Sequence, residues 1–367
     1  MKILVLTSRY TATRDIVGED FGRQTRLFEA LAKYGHSITF FCADYRKKEN
    51  RNTKLHGIDV RIRPFGIFHF FSFKKELKNT LKKERWDLMI ATSDPLWGVI
   101  GNNLAKKCGV KFLYDLHDNY ETYGMYKMPF FGILDRRAVK KADIVTTVSN
   151  ELKKMLKERK IRDKNVYVIQ NGAETKIFKP MDKKKSREKI GILQDKKIIA
   201  YAGSLQRRQG IDVLIDAFRI VKEKEKSAML VIAGNFFGNE KKFLNLSQEG
   251  IKYMGSITQK NVALLINSAD VAIVPNRDDN FTRYCFPYKI AEYTACKRPV
   301  VVTNVGDAAE MVGKRKDSLC IPGNAKDMAE KILVQLKKNG KSVLYDTAKN
   351  TWKHVAGILD RVIREKV

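Results

Sequence analysis

The sequence is short of two features that would place a protein in a membrane or an oxidising compartment, namely long apolar runs and paired cysteines. Across its 367 residues no apolar run approaches the roughly 18 residues that a membrane-spanning helix needs. The five cysteines are scattered without a CxxC spacing, which argues against a disulfide framework or a zinc site. The opening MKILVLTSRY turns polar too early for a signal peptide and is typical of a buried first strand. We therefore expect a cytoplasmic protein.

Acidic residues are also scarce relative to basic ones. The sequence has 41 Asp and Glu against 71 Lys and Arg, a formal net charge of +30, and the excess is spread over both halves. Such a surface favours anionic partners, among them acidic lipid headgroups, phosphorylated substrates and nucleic acid. A lysine-rich surface that serves only solubility is the alternative. Nucleic acid is not expected, because no RNA-recognition, zinc-finger or helix-turn-helix signature is present.

Short β-branched runs alternate with amphipathic segments along the whole chain, for example KILVLTS and WDLMIATS early on and KIIAYAG and RPVVVTN later. This alternation predicts an α/β protein with parallel sheets covered by helices. The polar stretch 179–197 interrupts the rhythm and is predicted to be a linker. We therefore predict two Rossmann-like, doubly wound domains that face each other across a cleft, at 1–178 and 179–342. A C-terminal helix within 343–367 is predicted to pack back on the first domain.

A candidate anion site lies in NFTRYCFPYKIAEYTACKRPVVV, residues 280–302. Pro287 marks the predicted start of a helix, whose unpaired N–H groups and partial positive charge suit a diphosphate. Lys289 would lie in the first turn beside the anion, and Glu292 is placed to accept hydrogen bonds from ribose hydroxyls. The alternative is an ordinary surface helix.

Two further segments follow predicted strands. In AGSLQRRQGIDVLIDAF, residues 202–218, a strand ends at Gly203, and Arg207 and Arg208 lie in the loop that follows. The planar donors of arginine suit phosphate oxygens, although an exposed arginine pair is the alternative. In DLHDNYETY, His117 and Asp118 come directly after a strand, at the edge where such sheets bind ligands. The alternative for His117 is a structural role.

The pattern Pro-x-Lys-x-x-Glu-Tyr followed by Arg-Pro-Val-Val resembles the donor-site helix of retaining GT-B glycosyltransferases of family four, in their proline–lysine variant. The resemblance spans nearly the whole chain and includes VIQNGAETKIFKP at 168–180. It implies that Glu292 holds the ribose of a sugar nucleotide and that the loop after Gly203 grips the diphosphate. It also implies that His117, with Asp118 beside it, lies near the donor sugar and the reacting centre.

The chain departs from the family's pattern at several positions. Tyr284 stands where many members have a glutamate that faces the donor sugar. Ser204 and Gln209 replace an arginine and a lysine of the diphosphate loop, so Arg207 and Arg208 are expected to act in their place. Gly18-Glu19 replaces a double glycine near the donor phosphates, and Gly18 is expected to line the cleft. These departures also leave open a degenerate member with weak or no transfer activity.

The predicted reaction moves a sugar from UDP-sugar or GDP-sugar to a hydroxyl group of a glycan or lipid-linked acceptor, with retention. No cofactor or metal is expected, because the sequence has no Asp-x-Asp pair and basic groups with helix dipoles can stabilise the departing diphosphate. Two alternatives stay open. One is a GT-B nucleotide-sugar epimerase, and the other is a non-catalytic protein that binds a nucleotide or nucleic acid.

A membrane surface is a further predicted partner. Residues 64–86 combine five phenylalanines with a lysine-rich helical pattern, and a second apolar loop, MYKMPFFGILDRR, lies at 125–137. Aromatic residues beside a basic face are typical of segments that lie in the interface of an anionic membrane. This pattern favours a peripheral enzyme on the inner face of the cell membrane. The alternative places the phenylalanines in the core and leaves the lysines solvated.

Overall fold

The computed structural model describes residues 1–11, 14–19, 22–236, 244, 246–338, 343 and 345–367. The chain divides into two compact units: unit 1 comprises Met1–Gly172 and Trp352–Val367, and unit 2 comprises Ala173–Thr351. The domain boundaries predicted from the sequence lie after residues 178 and 342. The first of them is later along the chain than the crossing after Gly172, and the second is earlier than the crossing after Thr351.

The described residues of unit 1 form an eight-stranded sheet in the order β10-β9-β8-β7-β1-β4-β6-β5, with a small antiparallel pair, β2-β3, beside it. All neighbours in the large sheet are parallel except β5 and β6. The bounds are β1 Lys2–Ser8, β2 Tyr10–Thr11, β3 Arg14–Asp15, β4 Ser37–Asp44, β5 Arg51–Leu55, β6 Ile58–Pro64, β7 Leu88–Ala91, β8 Lys111–Leu116, β9 Ile144–Thr147 and β10 Val166–Val168.

Five helices accompany these strands: α1 Arg23–Ala32, α2 Phe70–Lys83, α3 Pro95–Cys108, α4 Phe131–Lys141 and α5 Asn150–Glu158. The central strand β1 is an almost continuous apolar run, and its residues from Ile3 onward are buried. Such runs form in parallel sheets because helices cover both faces. Helix α3 begins at a favourable cap, since the Asp94 carboxylate accepts the N–H of Leu96 and Pro95 occupies the first helical position.

The described residues of unit 2 form a six-stranded, wholly parallel sheet in the order β13-β12-β11-β14-β15-β16. The strands are β11 Lys197–Ala202, β12 Ala228–Ala233, β13 Ile251–Tyr253, β14 Val271–Val274, β15 Val300–Thr303 and β16 Leu319–Cys320. The helices are α6 Lys183–Lys189, α7 Ile211–Lys224, α8 Gln259–Ser268, α9 Tyr288–Ala295, α10 Ala308–Met311 and α11 Ala325–Lys337. Two separate apolar clusters cover the two faces of this sheet. The predicted pair of Rossmann-like α/β folds is confirmed.

A last helix, α12 Trp352–Lys366, packs against α1 and belongs to unit 1. The buried ring of His36 lies 2.7 Å from the Asp360 carboxylate, and the Tyr34 hydroxyl donates to the carbonyl of Lys353 at 3.0 Å. The predicted return of a C-terminal helix to the first domain is thereby confirmed.

The prediction of a linker over 179–197 is wrong. This polar stretch contains α6, and its Arg187 is buried. The guanidinium donates to Asp270 at 2.9 Å and to the carbonyl of Ser268 at 3.0 Å. Because a buried arginine with a buried carboxylate partner has lost its hydration, the segment is fixed to unit 2 and cannot act as a free tether.

Candidate functional site

The site predicted in unit 2 lies at the carboxyl ends of β11 and β14. These neighbouring strands are the point where the strand order reverses, since β12 follows β11 on one side and β15 follows β14 on the other. Connections leave such a point toward opposite faces, which opens a crevice at that edge of the sheet. Two loops border the crevice, residues 203–210 after β11 and residues 275–287 after β14.

These two loops pack backbone against backbone. The N–H of Arg277 donates to the carbonyl of Arg208 at 3.0 Å. Gly210 has a φ of 70°, and a methyl group placed on it would lie 1.8 Å from the carbonyl oxygen of Pro275. Only glycine fits this position, both for its backbone conformation and for the close approach. The loop that carries the arginines is therefore held in place by the loop that leads to α9.

Helix α9 is fixed to the end of β11 by Tyr293. The buried hydroxyl of Tyr293 accepts the N–H of Ala202 and donates to its carbonyl, both at 2.9 Å. Pro287 directly precedes Tyr288, the first helical residue, so the helix begins where the sequence predicts. Because Tyr293 lies one turn beyond Lys289, this contact also sets the position of the first turn.

Lys289 and Gly203, two predicted site residues, are in contact. A methyl group on Gly203 would lie 2.7 Å from Cε of Lys289, so the lysine crosses bare backbone. Its ammonium donates to the Tyr201 hydroxyl at 3.2 Å and to Oε1 of Gln209, and it lies 4.8 Å from the centroid of the Tyr201 ring. Sequence reasoning missed Tyr201, which no local pattern marks, and Gln209 as a partner of the lysine.

The environment shifts the pKa values of Lys289 and Glu292 in opposite directions. Loss of hydration lowers the pKa of Lys289 to about 8. Loss of hydration also raises the pKa of Glu292 to about 8, although the nearby lysine charge opposes that shift. Among the residues that the structure describes, none donates a hydrogen bond to the Glu292 carboxylate. Its oxygens are thus available to the hydroxyl groups of a ligand.

Arg207 and Arg208 are both exposed, in the short 3-10 turn that precedes α7. The Arg207 guanidinium lies 3.7 Å from the Asp212 carboxylate, which Arg277 also contacts at 2.6 Å. The Arg208 guanidinium lies 4.9 Å from the centroid of the Phe281 ring. Arg207 is thus held by a carboxylate and Arg208 by an aromatic ring, and the loop brings two cations to the crevice.

Tyr284 lies half-buried in the loop between β14 and α9. Its N–H donates to the carbonyl of Phe281 at 3.3 Å. The loop is shaped by Asp279, whose carboxylate accepts the N–H groups of Phe281 and Thr282, each at 2.8 Å. Tyr284 is therefore part of a defined turn rather than of the helix that carries Lys289.

In unit 1, His117 lies at the carboxyl end of β8 and is buried. Its Nδ1 accepts the N–H of Ser93 at 3.2 Å and lies 2.9 Å from the Tyr120 hydroxyl. Because a backbone amide can only donate, these partners assign the proton to Nε2. That nitrogen lies 3.7 Å from Asp118, which accepts a hydrogen bond from the Tyr123 hydroxyl at 3.1 Å.

Burial keeps both side chains of this pair uncharged over a wider pH range. It lowers the pKa of His117, and it raises the pKa of Asp118. The neighbouring opposite charge counteracts each shift. His117 is therefore a neutral hydrogen-bond donor through Nε2 at pH 7, which suits contact with a sugar hydroxyl better than contact with a phosphate.

Beneath His117 lies a buried ion pair that sequence reasoning missed. The Arg23 guanidinium binds both oxygens of Asp115, at 3.2 and 2.9 Å. Thr92 and Thr146 donate to the same carboxylate at 2.8 and 2.7 Å. Burial alone would raise the pKa of Asp115, but Arg23 and Thr146 hold it below its usual value. The pair supports the strand end from which His117 projects.

Gly18 lies exposed in the turn that follows β3. A methyl group on it would lie 3.0 Å from the carboxylate of Asp15. That carboxylate pairs at 2.8 Å with the buried Arg9, which also contacts Asp44 and Glu49, each at 2.9 Å. The turn is thus tied to the end of β1, a link that the sequence does not reveal.

The described part of the chain holds no group of three or more His, Cys, Asp or Glu side chains arranged for a metal ion. None of the helices that the structure describes is long and apolar enough to cross a membrane.

Two family models match the chain, one in each half. The model described as Glycosyltransferase Family 4 matches residues 25–177, and the model described as Glycosyl transferases group 1 matches residues 196–338. An uncharacterized glycosyltransferase of Methanocaldococcus jannaschii is 25% identical and covers 97% of this chain and 96% of its own. A glycosyltransferase of Bacillus subtilis assigned to teichuronic acid biosynthesis, TuaC, is 26% identical, over 90% of this chain and 88% of its own.

Solved structures show the same fold over the whole chain. HepE of Anabaena in complex with UDP has a TM-score of 0.73 at 17% identity, with 100% of this chain and 98% of that chain covered. Sucrose-phosphate synthase of Thermosynechococcus elongatus has a TM-score of 0.72 at 18% identity, with 100% and 94% covered. The fold, the two family models and the relatives together show that the chain is a glycosyltransferase of the GT-B class.

Proposed function

We propose that the chain transfers a sugar from a nucleoside diphosphate sugar to a hydroxyl group of a glycan acceptor, with retention at the anomeric carbon and without a bound metal ion. The observation that carries this proposal is Lys289, held by Tyr201 and Gln209 across the bare backbone of Gly203 in the first turn of α9. A cation and accessible backbone at the start of a helix are what a diphosphate needs. The proline–lysine motif supports membership of the retaining family four.

The roles of the donor-binding residues follow from this placement. Lys289 and the start of α9 after Pro287 contact the diphosphate, and Gly203 lets its oxygens approach the backbone. Glu292 accepts the ribose hydroxyls, since no described residue donates to its carboxylate. Arg207 and Arg208 contribute charge from the neighbouring loop. Tyr284, in place of the usual glutamate, contributes to the selection of the donor sugar.

Departure of the diphosphate is the step that these groups accelerate. The bond from the anomeric carbon to the diphosphate oxygen breaks, and negative charge builds up on the leaving group. Lys289, Arg208 and the dipole of α9 stabilise that charge, which makes a metal ion unnecessary. The acceptor oxygen then attacks the oxocarbenium-like centre from the face that the diphosphate leaves, and the acceptor's hydroxyl proton passes to the departing diphosphate oxygen.

We propose, from the resemblance to family four, that residues of unit 1 contribute to the reacting centre. His117 donates from Nε2 to a hydroxyl of the donor sugar, and Asp118 lies 3.7 Å from that nitrogen. The Ser93 amide and the Tyr120 hydroxyl hold the ring through Nδ1. Gly18 lies in the turn that matches the phosphate-proximal segment of relatives. The neutral tautomer of His117, assigned by the Ser93 amide, supports this role.

The donor base is proposed to be uracil. HepE was solved with UDP and with UDP-glucose, and an Escherichia coli trehalose-6-phosphate protein of the same fold was solved with UDP-2-fluoro glucose. The relative assigned to teichuronic acid biosynthesis supports a cell-surface glycan as the acceptor, and a lipid-linked precursor agrees with an anionic membrane surface as partner. The comparisons do not favour an epimerase or a non-catalytic binding protein.

Calorimetric titration of UDP and GDP tests the donor site. We expect UDP to bind, and we expect Glu292→Ala to weaken its binding at least tenfold, or about 1.4 kcal/mol, because the hydrogen bonds from the ribose hydroxyls are lost. Glu330→Ala, an exposed glutamate of α11, serves as the control and should leave the affinity unchanged. If wild type binds neither nucleotide, the proposed donor site is wrong.

The affinity for UDP should also depend on pH. The diphosphate binds the protonated form of Lys289, so binding raises the pKa of that group above its value of about 8 in the free protein. The contribution of Lys289 to the affinity is therefore constant below about pH 7, and it falls as the pH rises through 8. Titrations between pH 7 and 9.5 should show this decline in wild type, and Lys289→Met should make the decline smaller. A flat wild-type profile would contradict the assignment.

A further inference from the structure

Unit 1 exposes large apolar side chains in two segments that are distant in sequence. Phe68 is 96% exposed, Ile67 90% and Phe71 81%, at the start of α2. Phe130, directly before α4, is 77% exposed, and Met128, Ile133 and Leu134 beside it are also exposed. Isolated exposed apolar residues are ordinary, but concentrations of them at two helix starts need a reason.

The phenylalanines of 64–86 divide between core and surface. Phe73 is buried, and its ring lies 5.1 Å from that of Phe65 and 5.6 Å from that of Trp97. Phe68 and Phe71 lie outside this cluster. The choice between a core and a surface role therefore differs from one phenylalanine to the next, and Phe68 and Phe71 remain largely exposed.

Topology brings the two segments to one end of one helical layer. Helix α2 follows β6, which is parallel to β4, and α4 follows β8, which is parallel to β7, all within one sheet. Each helix therefore starts near the carboxyl edge of the sheet. Helix α3 packs against both α2 and α4. Since packed helices are about 8–10 Å apart, the two apolar starts lie roughly 20 Å from each other.

Behind each apolar start runs a stripe of basic side chains. On α2, Phe71 is followed at helical spacing by the exposed Lys75, Lys78 and Lys82. Within the described residues no acidic side chain pairs with these three lysines. On α4, Ile133 is followed by Arg137 and Lys140, which are exposed as well. Both helices therefore change from apolar to cationic along the same direction.

The backbone before α4 gives independent support. Phe130 has a φ of 61° and a ψ of −10°, the left-handed conformation that a bulky residue rarely adopts. No side chain caps the helix at this position. The unfavourable backbone conformation of Phe130 holds its aromatic ring in solvent, which has no evident benefit within unit 1. A binding role for the ring would explain it.

We propose that Phe68, Phe71 and Phe130 insert into the interfacial region of an anionic lipid bilayer while the basic stripes of α2 and α4 contact its headgroups. Separate apolar tips beside exposed cations suit a fluid, negatively charged surface. A protein partner would require a continuous complementary face instead. The overall charge of +30 attracts the same surface from a distance. This inference does not depend on the identity of the sugar donor.

Flotation of the full chain with vesicles tests the proposal. Wild type should float with vesicles of phosphatidylcholine mixed with phosphatidylglycerol and much less with phosphatidylcholine alone. Phe68→Ser combined with Phe71→Ser should lower partitioning about tenfold or more, since two apolar side chains no longer leave water. Phe130→Asn should act in the same direction without new strain, because asparagine tolerates the left-handed backbone. Lys75→Glu with Lys78→Glu should abolish the preference for anionic lipid.

Leu193→Ser combined with Ile321→Ser is the matched control, because both residues are exposed apolar side chains of unit 2, at 55% and 59%. The proposal fails if wild type stays unbound to anionic vesicles at moderate salt, or if the control loses binding equally. It also fails if the phenylalanine variant abolishes a dimer seen by sedimentation, or binding to single-stranded RNA, and leaves flotation intact. Titration of UDP against the same variant separates this outcome from failure of the donor site, because UDP affinity should be unchanged.

Discussion

Replacing Lys289 with methionine is expected to lower the turnover number by about 100- to 1,000-fold, the range found when one preorganised group that stabilises a developing anion is removed. Methionine preserves much of the length of the side chain but removes the charge that lies across Gly203 and the hydrogen bonds to Tyr201 and Gln209. The folded structure should tolerate the change, because the lysine is already partly stripped of water and its pKa is lowered to about 8. The measurement is the rate of UDP release from the UDP-sugar that binds, alongside the thermal unfolding midpoint.

Lys260→Met provides a matched control. Lys260 is the second residue of α8, as Lys289 is of α9, but its side chain is exposed. Turnover should be unaffected by that change. If the turnover number of Lys289→Met is within threefold of the wild-type value, the assignment is wrong. Arg207 and Arg208 would then be the groups that stabilise the leaving diphosphate.

Arg23→Ala is expected to lower the free energy of unfolding of unit 1 by about 3–5 kcal/mol, the usual effect of leaving one member of a buried ion pair without its partner. The change leaves the buried Asp115 carboxylate with its hydrogen bonds from Thr92 and Thr146 but without its guanidinium partner. The change also removes the hydrogen bonds that Arg23 donates to the Gln170 carbonyl and the Asn171 side chain, both at 2.9 Å. The effect should therefore reach the last residues before unit 1 gives way to unit 2.

Tryptophan fluorescence during urea unfolding measures this loss in unit 1 alone. All three tryptophans of the sequence, Trp86, Trp97 and Trp352, belong to unit 1 and are buried. Lys154→Ala is the control, since Lys154 is exposed and only approaches Glu151 and Glu158 at 3.8 and 4.0 Å. Its effect should stay below about 0.5 kcal/mol. An equally small effect of Arg23→Ala would show that the buried pair does not stabilise the unit.

The parts of the fold that the sequence predicts are those encoded by local patterns. β1 is an almost continuous apolar run, and Pro287 with the residues after it predicts the start of α9. The linker prediction failed because Arg187 and Asp270 are 83 residues apart, and nothing in the polar run 179–197 shows that its arginine has a buried partner. Short-range signals define elements, whereas partners across the fold come from packing.

The candidate site shows the same division. The motif around Lys289 and Glu292 is visible in the sequence, and the assignment of individual roles to its residues stays a prediction. The hydroxyl of Tyr293 that fixes α9 to Ala202 depends on the register between a helix and a strand about 90 residues earlier. The left-handed backbone at Phe130 is equally invisible, because no glycine or asparagine marks it.

The way the two units share the chain affects the order in which they can fold. Ala173 donates to the carbonyl of Asn350 at 2.7 Å, and Gly172 lies against Trp352, so the two crossings between the units run side by side. Unit 2 is thus an insertion within unit 1, made from one uninterrupted stretch. During synthesis it can close as soon as residue 351 has emerged. Unit 1, although its strands are made first, must wait for α12 to cover α1 and for Asp360 to reach His36.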